Sequence, residues 1–183
     1  MNRQVRRVGL VLVLMFLSLF VMASSIQVLR SDALYQDSRN VRASYETYKT
    51  QRGPILVGGV PVVESIPYND AYRFLRNYES VIYSPIMGYF SLFNGSSGLE
   101  RSMNSYLSGQ SSAQFFEQIN ALLDGKPVIG AAVELTIDPA IQRAAWDALG
   151  NRKGAVVAIE PSTGRILAMV SKPTFDANKL AGH

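Results

Sequence analysis

The chain has 183 residues, no cysteine and one histidine, and its 18 basic and 14 acidic residues give a formal net charge of +4. The lack of cysteine excludes disulfides and thiolate metal sites, and a single histidine argues against a zinc site or a serine–histidine triad within this chain. The basic residues form no stripe with interleaved aromatics, so the composition does not predict nucleic-acid binding. We expect no metal and no cofactor.

The first predicted element is a transmembrane helix over residues 8–29. This stretch carries no formal charge, and at about 1.5 Å per residue it is long enough for a hydrocarbon core of roughly 30 Å. Three arginines precede it, so the positive-inside rule predicts a cytoplasmic amino terminus and an extracytoplasmic chain after Arg30. The alternative is a cleaved signal peptide, because residues 23–25 are small enough for a peptidase site. The length of the apolar stretch favours an uncleaved, single-pass anchor in the cell membrane.

Residues 31–130 are predicted to form a small α+β module. Two β-rich pieces flank Gly58 and Gly59 within residues 51–63, which is typical of a hairpin. The other predicted pieces are a polar lead-out at 37–49, a helical or extended piece at 70–76, an aromatic extended piece at 83–91, and helices at 97–107 and 112–123.

Residues 132–173 carry the clearest local pattern, which is strand, helix, strand, turn, strand. Asp138 is a suitable helix cap, Pro139 suits the first helical position and Gly150 suits the position after the helix end. The predicted apolar stripe of this helix consists of Ile141, Ala144, Ala145, Ala148 and Leu149, with Gln142, Arg143 and Asp147 lying off it.

Two apolar runs without alternation, at 155–159 and 166–170, predict a hairpin covered on both faces, joined by a turn at 160–164. One short helix cannot supply both covering layers. We therefore interpret this part as the opening of a larger domain.

Two charged residues of the middle module are candidates for a functional role. Arg52 is either a binding element or a solvated residue that leads into a hairpin. Glu100 is either a catalytic acid or a residue that is solvated or paired, with Arg101 or with a distant base. The sequence leaves both alternatives open.

Five sequence blocks follow one another in an order that is specific to one family. They are Arg52-Gly53-x-Ile55 with Gly58-Gly59; Tyr83-x-Pro85-x-x-Gly88-Tyr89; Gly98-Leu99-Glu100 with Leu107-Ser108-Gly109; Leu135-Thr136-Ile137-Asp138 with Gln142 and Ala145; and the run from Gly154 to Met169. Together they resemble the amino-terminal part of class B penicillin-binding proteins, most of all the actinobacterial cell-wall type. The first block departs from the family, because Leu-Val-Gly-Gly replaces the usual Asp-Arg-Asn-Gly turn.

The resemblance implies an α+β protein with a cytoplasmic tail and transmembrane anchor at 1–30. A pedestal module of the dimerisation type at 31–130 and the start of a transpeptidase domain at 131–183 would follow. Only about 100 residues separate Arg30 from the transpeptidase-like start, which indicates class B, since class A enzymes carry a large glycosyltransferase domain there.

The same resemblance implies a function in cell-wall synthesis. Its members bind penicillin and cross-link the stem peptides of peptidoglycan through an acyl-enzyme serine, which needs an activated nucleophile and an oxyanion hole. The implied partners are the membrane bilayer, peptidoglycan and a membrane-embedded glycosyltransferase of the shape, elongation, division and sporulation family.

Two of the three catalytic motifs of that family are not found in this sequence, and the third, Ser-x-Asn, matches only at Ser38-x-Asn40 and Ser102-x-Asn104, outside the catalytic domain. None of the five lysines has a serine three positions earlier, so Ser-x-x-Lys is absent, and none begins Lys-Thr-Gly or Lys-Ser-Gly. We therefore predict no catalytic residue here and expect the chain to be inactive by itself. Arg52, Gly53, Gly88 and Glu100 are predicted to shape the pedestal or to contact its partner.

Two hypotheses follow. In the first, the chain is the anchor and scaffold portion of a D,D-transpeptidase. In the alternative, it is a standalone, non-catalytic, membrane-tethered interaction protein of cell-wall assembly. The two apolar strands at 155–170 favour the first hypothesis, because they would expose a large apolar patch on an isolated chain.

Overall fold

The structure, a computed structural model, describes residues 3–30, 48–70, 72–111, 114, 120–121, 123–125, 127 and 129–181. The chain divides into two compact units, Met1–Ala43 and Ser44–His183. The predicted lead-out at 37–49 and the predicted helix at 112–123 lie largely outside the described residues.

The described residues of the first unit form one long apolar helix. Helix α1 spans Arg3–Ser24 and continues as a π-helical stretch over Ser25–Leu29, with no buried residue along it. The most apolar 18-residue window of this helix has a mean hydropathy of 2.5, and at about 1.5 Å per residue the 27 residues are long enough to cross a bilayer. The predicted apolar helix is therefore confirmed, and its described part begins at Arg3, the first of the three arginines, instead of after them.

A four-stranded sheet is the centre of the second unit. Its strands are β1 (Ile55–Val57), β2 (Val60–Pro67), β3 (Phe74–Tyr78) and β6 (Val133–Leu135), in the order β3-β2-β1-β6. The predicted β1–β2 hairpin is confirmed, and Gly58 and Gly59 form its turn at φ values of 59° and 76° that favour glycine. Strand β6 pairs in parallel with β1. One sheet thus joins residues on both sides of position 130.

Short elements fill the segment between β3 and β6. They are α2 (Ser84–Met87), β4 (Phe90–Ser91), β5 (Gly95–Ser96), α3 (Gly98–Ser102) and α4 (Asn104–Leu107). The extended piece predicted at 83–91 is wrong over its first half, because Pro85 lies in the first turn of α2, where a missing N–H costs nothing. The helix predicted at 97–107 consists of two short helices separated at Met103.

The remaining elements are α5 (Pro139–Leu149), β7 (Gly154–Ile159), β8 (Ile166–Lys172) and α6 (Asn178–Ala181). Asp138 caps α5 as predicted, since its carboxylate accepts hydrogen bonds from the amides of Ala140 at 2.8 Å and Ile141 at 3.0 Å. The antiparallel β7–β8 hairpin is also confirmed.

The predicted apolar stripe of α5 is wrong, because the buried residue of this helix is Gln142. Ile141 is 38% exposed, and Ala144 and Ala148 are exposed as well. The Gln142 amide donates to the carbonyls of Met169 at 3.0 Å and Ile82 at 3.2 Å and accepts from the Met169 amide at 2.8 Å. A polar side chain that is satisfied in this way is buried at little cost.

The two strands of the β7–β8 hairpin are buried less evenly than predicted. Ala168 and Val170 of β8 are fully buried, whereas Val157 and Ile159 of β7 are 51% and 56% exposed. The prediction that both strands are covered is therefore wrong for β7 among the described residues.

The core runs from β1 to α6. Its buried residues are Ile55, Val57, Val62, Val63, Tyr78, Met87, Leu107, Ile137, Ala177 and Ala181. Residues after position 130 contribute three of these side chains, so the end of the described chain packs into the same core as the β1–β2 hairpin.

Candidate functional site

Three charged side chains, Arg52, Arg76 and Glu100, form a buried ion cluster. Arg52 lies three residues before β1, and its Nη2 donates to Glu100 Oε2 at 2.8 Å and to the Glu100 carbonyl at 3.3 Å. Its Nη1 donates to Asn104 Oδ1 at 2.8 Å. The guanidinium also stacks on the ring of Phe90, 3.9 Å from the ring centroid. Arg52 is 3% exposed and Glu100 is 0% exposed, so the interpretation of Arg52 as a solvated residue is wrong.

Arg76 approaches the other oxygen of the same carboxylate. Its Nε donates to Glu100 Oε1 at 2.6 Å, and its Nη1 donates to the Ser65 hydroxyl at 3.2 Å and to the Arg52 carbonyl at 3.4 Å. The Tyr78 hydroxyl lies 3.5 Å from Glu100 Oε1. It also accepts a hydrogen bond at 2.8 Å from the amide of Phe90, the residue whose ring stacks on Arg52. Arg76 Nη2 is buried and has no hydrogen-bond partner, so part of the cost of desolvating this cation stays uncompensated.

The electrostatics of the cluster keep Glu100 ionised. Burial alone would raise the pKa of Glu100, but the attraction of Arg76 and then of Arg52, with their hydrogen bonds, outweighs burial and lowers that pKa below its ordinary value. Burial lowers the pKa of Arg52, although Glu100 opposes this shift. Burial, followed by the charge of Glu100, raises the pKa of the Tyr78 hydroxyl. A carboxylate held in this state is unsuited to donate a proton at neutral pH.

Two of the predicted site residues are glycines that allow close backbone contact. A Cβ at Gly53 would lie 1.8 Å from the Ala131 carbonyl oxygen, and the Gly53 amide donates to the Leu107 carbonyl at 2.8 Å. Gly88 has a φ of 71°, and a Cβ there would lie 2.2 Å from the Ser97 carbonyl oxygen. Gly53 therefore contacts the backbone near the ion cluster, whereas Gly88 closes α2 and is not part of the cluster.

A second group of contacts joins the region before position 130 to the segment after it. The Asn178 side chain accepts from the Tyr78 amide at 2.9 Å and donates to the Tyr78 carbonyl at 2.8 Å. The Thr174 hydroxyl donates to the Val81 carbonyl at 3.2 Å. The two Asn178 bonds satisfy the edge of β3 in the way a further strand would.

Sequence reasoning missed Arg76 and Asn178. A signal for Arg76 existed, because Phe74, Arg76 and Tyr78 share one face of a strand with period two, and an arginine on an inward face needs a carboxylate partner. Asn178 gave no comparable signal, since its partners are backbone atoms 100 positions earlier in the chain.

The arrangement is that of a buried salt-bridge network. Glu100 is enclosed between two guanidinium groups, and the described residues contain no group of three histidine, cysteine, aspartate or glutamate side chains that could hold a metal ion. The cluster links the segment before β1 to β3, α3 and α4.

Comparison with known proteins agrees with this description. Residues 52–133 match the family described as the penicillin binding protein A dimerisation domain. The peptidoglycan D,D-transpeptidase PbpA of Mycolicibacterium smegmatis is 39% identical over 189 aligned residues, which cover 100% of this chain and 38% of that protein. This chain thus spans about two fifths of the length of the curated relatives it matches over its whole length.

Solved structures give the same result. Penicillin-binding protein A of M. tuberculosis, in a ceftriaxone acyl-enzyme complex, matches with a TM-score of 0.73 and 40% identity, over 76% of this chain and 33% of that chain. PBP2 of Pseudomonas aeruginosa matches with a TM-score of 0.58 and 31% identity, over 72% of this chain and 31% of that chain.

The chain therefore belongs to the class B penicillin-binding proteins. Within that class it is similar to the actinobacterial PbpA type and corresponds to the amino-terminal part of those transpeptidases. Together with the apolar helix, this membership describes a membrane-anchored protein.

Proposed function

We propose that this chain is the membrane anchor and pedestal of a peptidoglycan D,D-transpeptidase, an enzyme that cross-links stem peptides and is acylated by penicillin. The observation that carries the proposal is the 39% identity to a D,D-transpeptidase over the whole of this chain. The reacting serine would lie on polypeptide that this chain does not contain, because Ser-x-x-Lys is absent from its sequence.

In this proposal the chain has three parts, namely an anchor at 1–30, a pedestal at 31–130 and the first elements of the transpeptidase domain at 131–183. The three arginines before the apolar stretch favour a cytoplasmic amino terminus, which puts the pedestal on the side of the membrane where peptidoglycan lies. The membrane-embedded glycosyltransferase of the shape, elongation, division and sporulation family is the proposed partner in cell growth or division.

The pedestal supports catalysis by holding its domain in place. The buried ion cluster fixes the elements of the pedestal, with Arg52, Gly53 and Glu100 as central residues and Gly88 as the end of α2. The exposure of strand β7 is evidence for a larger domain. Its side chains Val157 and Ile159 are half exposed in the described chain, and apolar side chains on a strand need a covering layer. Further polypeptide of a transpeptidase domain would provide that layer.

A covalent labelling experiment tests the proposal. Membranes of the source cells are treated with a fluorescent penicillin, solubilised and precipitated with an antibody against residues 72–111. We expect a fluorescent product that survives denaturation and disappears when unlabelled penicillin is added first. Precipitated product without any label at a saturating penicillin concentration would refute the transpeptidase function.

The alternative of a standalone interaction protein is compatible with the packing of the last described helix. Ala177 and Ala181 are buried in the core of the pedestal, so the last described helix is held in place within this chain. The labelling experiment separates the two functions, because a non-catalytic product of this length would be precipitated but not labelled.

A further inference from the structure

A cleft of about 290 Å³ lies where α5 ends and β8 leaves the hairpin. The residues of its wall that matter here are three basic side chains, two neutral polar side chains and one aromatic ring, namely Arg152, Lys153, Lys172, Asn151, Thr174 and Trp146. No acidic residue is among the described residues that line it. The cleft therefore has an excess of positive charge beside an aromatic surface.

Lys172 is already engaged within the protein. Its Nζ lies 3.9 Å from the centroid of the Trp146 ring and donates to the Trp146 carbonyl at 3.0 Å and to the Gly150 carbonyl. A cation in this position donates hydrogen bonds to free carbonyls at the end of α5 and interacts favourably with the negative end of the helix dipole. Lys172 thus fixes the indole ring and caps the helix, and α5 does not need the other two cations for this purpose.

Arg152 and Lys153 are the available charges. Both are exposed, and neither side chain makes a hydrogen bond or ion pair with any described residue. Two adjacent cations without a counter-charge attract an anion into a cleft. A guanidinium matches the two oxygens of a carboxylate in a bidentate pair, while the indole of Trp146 in the wall of the cleft offers apolar surface to a sugar ring.

We propose that this cleft is a non-catalytic binding site for carboxylate-bearing glycan–peptide, namely uncross-linked peptidoglycan. Arg152 and Lys153 pair with carboxylates of the stem peptide, and Trp146 packs against the attached sugar. The inference rests on the proposed function, which supplies the polymer. The site holds nascent strands beside the transpeptidase and breaks no bond.

The sequence provides a site-specific probe, because Trp146 is the single tryptophan of the chain. The full 183-residue chain, in a non-ionic detergent, is titrated with a soluble disaccharide–pentapeptide while tryptophan emission is recorded. We expect a saturable change in emission that weakens as the salt concentration rises.

Charge variants test the assignment. The double variant Arg152→Gln/Lys153→Gln should bind this disaccharide–pentapeptide, a muropeptide, at least about tenfold more weakly. Each charge-assisted hydrogen bond contributes roughly that factor to the affinity. The matched control is Arg101→Gln/Arg165→Gln, which removes the same charge from exposed positions outside the cleft and should leave the titration unchanged. Circular dichroism verifies that both variants are folded.

Three other probes define the ligand. A chitin tetrasaccharide offers sugar rings without carboxylates, inorganic phosphate offers an anion without sugar, and anionic phospholipid vesicles offer a charged surface. We expect each to bind more weakly than the muropeptide. Equal binding of the neutral tetrasaccharide, tighter binding of phosphate or vesicles, or no loss in the double variant would overturn the inference.

The test is independent of the proposed transpeptidase function. Penicillin labelling without any binding of the disaccharide–pentapeptide would refute the binding site and leave the transpeptidase function standing. Muropeptide binding without penicillin labelling would leave the binding site standing and refute the enzyme function.

Discussion

Replacement of the buried carboxylate in the ion cluster, Glu100→Gln, should destabilise the second unit severely. The variant leaves the guanidinium groups of Arg52 and Arg76, which are 3% and 5% exposed, without a counter-charge. Breaking a buried pair by removing one partner costs about 3–5 kcal/mol. Two cations lose the same carboxylate here, so we expect about 4–5 kcal/mol. In a folded unit of this size that loss corresponds to a fall in melting temperature of roughly 10–15 °C.

The assay is thermal unfolding followed by the emission of Trp146, which reports on the second unit and not on the apolar helix. The full chain is measured in detergent at neutral pH, beside a control variant, Glu64→Gln. Glu64 is exposed on β2, and its replacement should change the free energy of unfolding by less than about 0.5 kcal/mol. If Glu100→Gln unfolds within 1 or 2 °C of this control, the structural role of the cluster is refuted.

Three further predictions concern the same unit. The folded-state pKa of Glu100 is lowered, so its contribution to stability is present above the unfolded pKa, near 4.3, and is lost as the pH falls through the folded pKa. The free energy of unfolding in urea, measured from pH 6 to pH 3, should therefore fall more steeply for the native chain than for Glu100→Gln. Gly53→Ala should cost more than about 2 kcal/mol in urea unfolding, since its Cβ meets a backbone carbonyl at 1.8 Å, whereas Gly154→Ala, whose nearest neighbour is 3.7 Å away, should be close to neutral; equal effects would contradict the packing argument. Asn178→Ala should cost about 2 kcal/mol by leaving two backbone groups of β3 unpaired, and hydrogen exchange should rise at that strand but stay unchanged in the exposed control Asn151→Ala.

Local chemistry predicted the elements whose signals lie within a few residues. Asp138 and Pro139 mark the start of α5 because cap and first-turn positions have specific backbone requirements. Gly58 and Gly59 mark the β1–β2 turn for the same kind of reason. These features depend on neighbouring residues and are therefore visible in the sequence.

The buried ion cluster could not be predicted because its members come from distant positions. Arg52 and Glu100 are 48 positions apart, and Arg76 lies 24 positions from each of them. Exposed and buried ion pairs have the same sequence pattern, and the packing of the whole sheet decides between them. The resemblance drew attention to Arg52 and Glu100 without indicating that they bind each other.

Helix α5 shows a different limit. Its apolar periodicity predicted the wrong face, because the burial of Gln142 depends on three backbone groups supplied by β8 and by the segment before α2. A hydrophobic pattern gives weight to apolar residues and none to a polar side chain that is fully hydrogen-bonded. The exposed positions Ile141, Ala144 and Ala148 then become candidates for contact with further polypeptide.

The packing of the last described segment also decides which experiment is informative. Proteolysis that trims the chain back to position 130 would indicate an incomplete domain, but Asn178 and α6 bind the β3 edge and the core. We expect the second unit to resist such trimming whether or not further polypeptide follows it. Protease resistance therefore does not separate the two hypotheses.

The mass of the native product tests the central claim most directly. An antibody against residues 72–111 isolates the product from source membranes, and intact mass spectrometry determines its length. The transpeptidase account predicts a product several hundred residues longer than this chain, carrying Ser-x-x-Lys and Lys-Thr-Gly in the additional sequence. A product near the 20.1 kDa of this chain would contradict that account and favour a standalone, non-catalytic membrane protein.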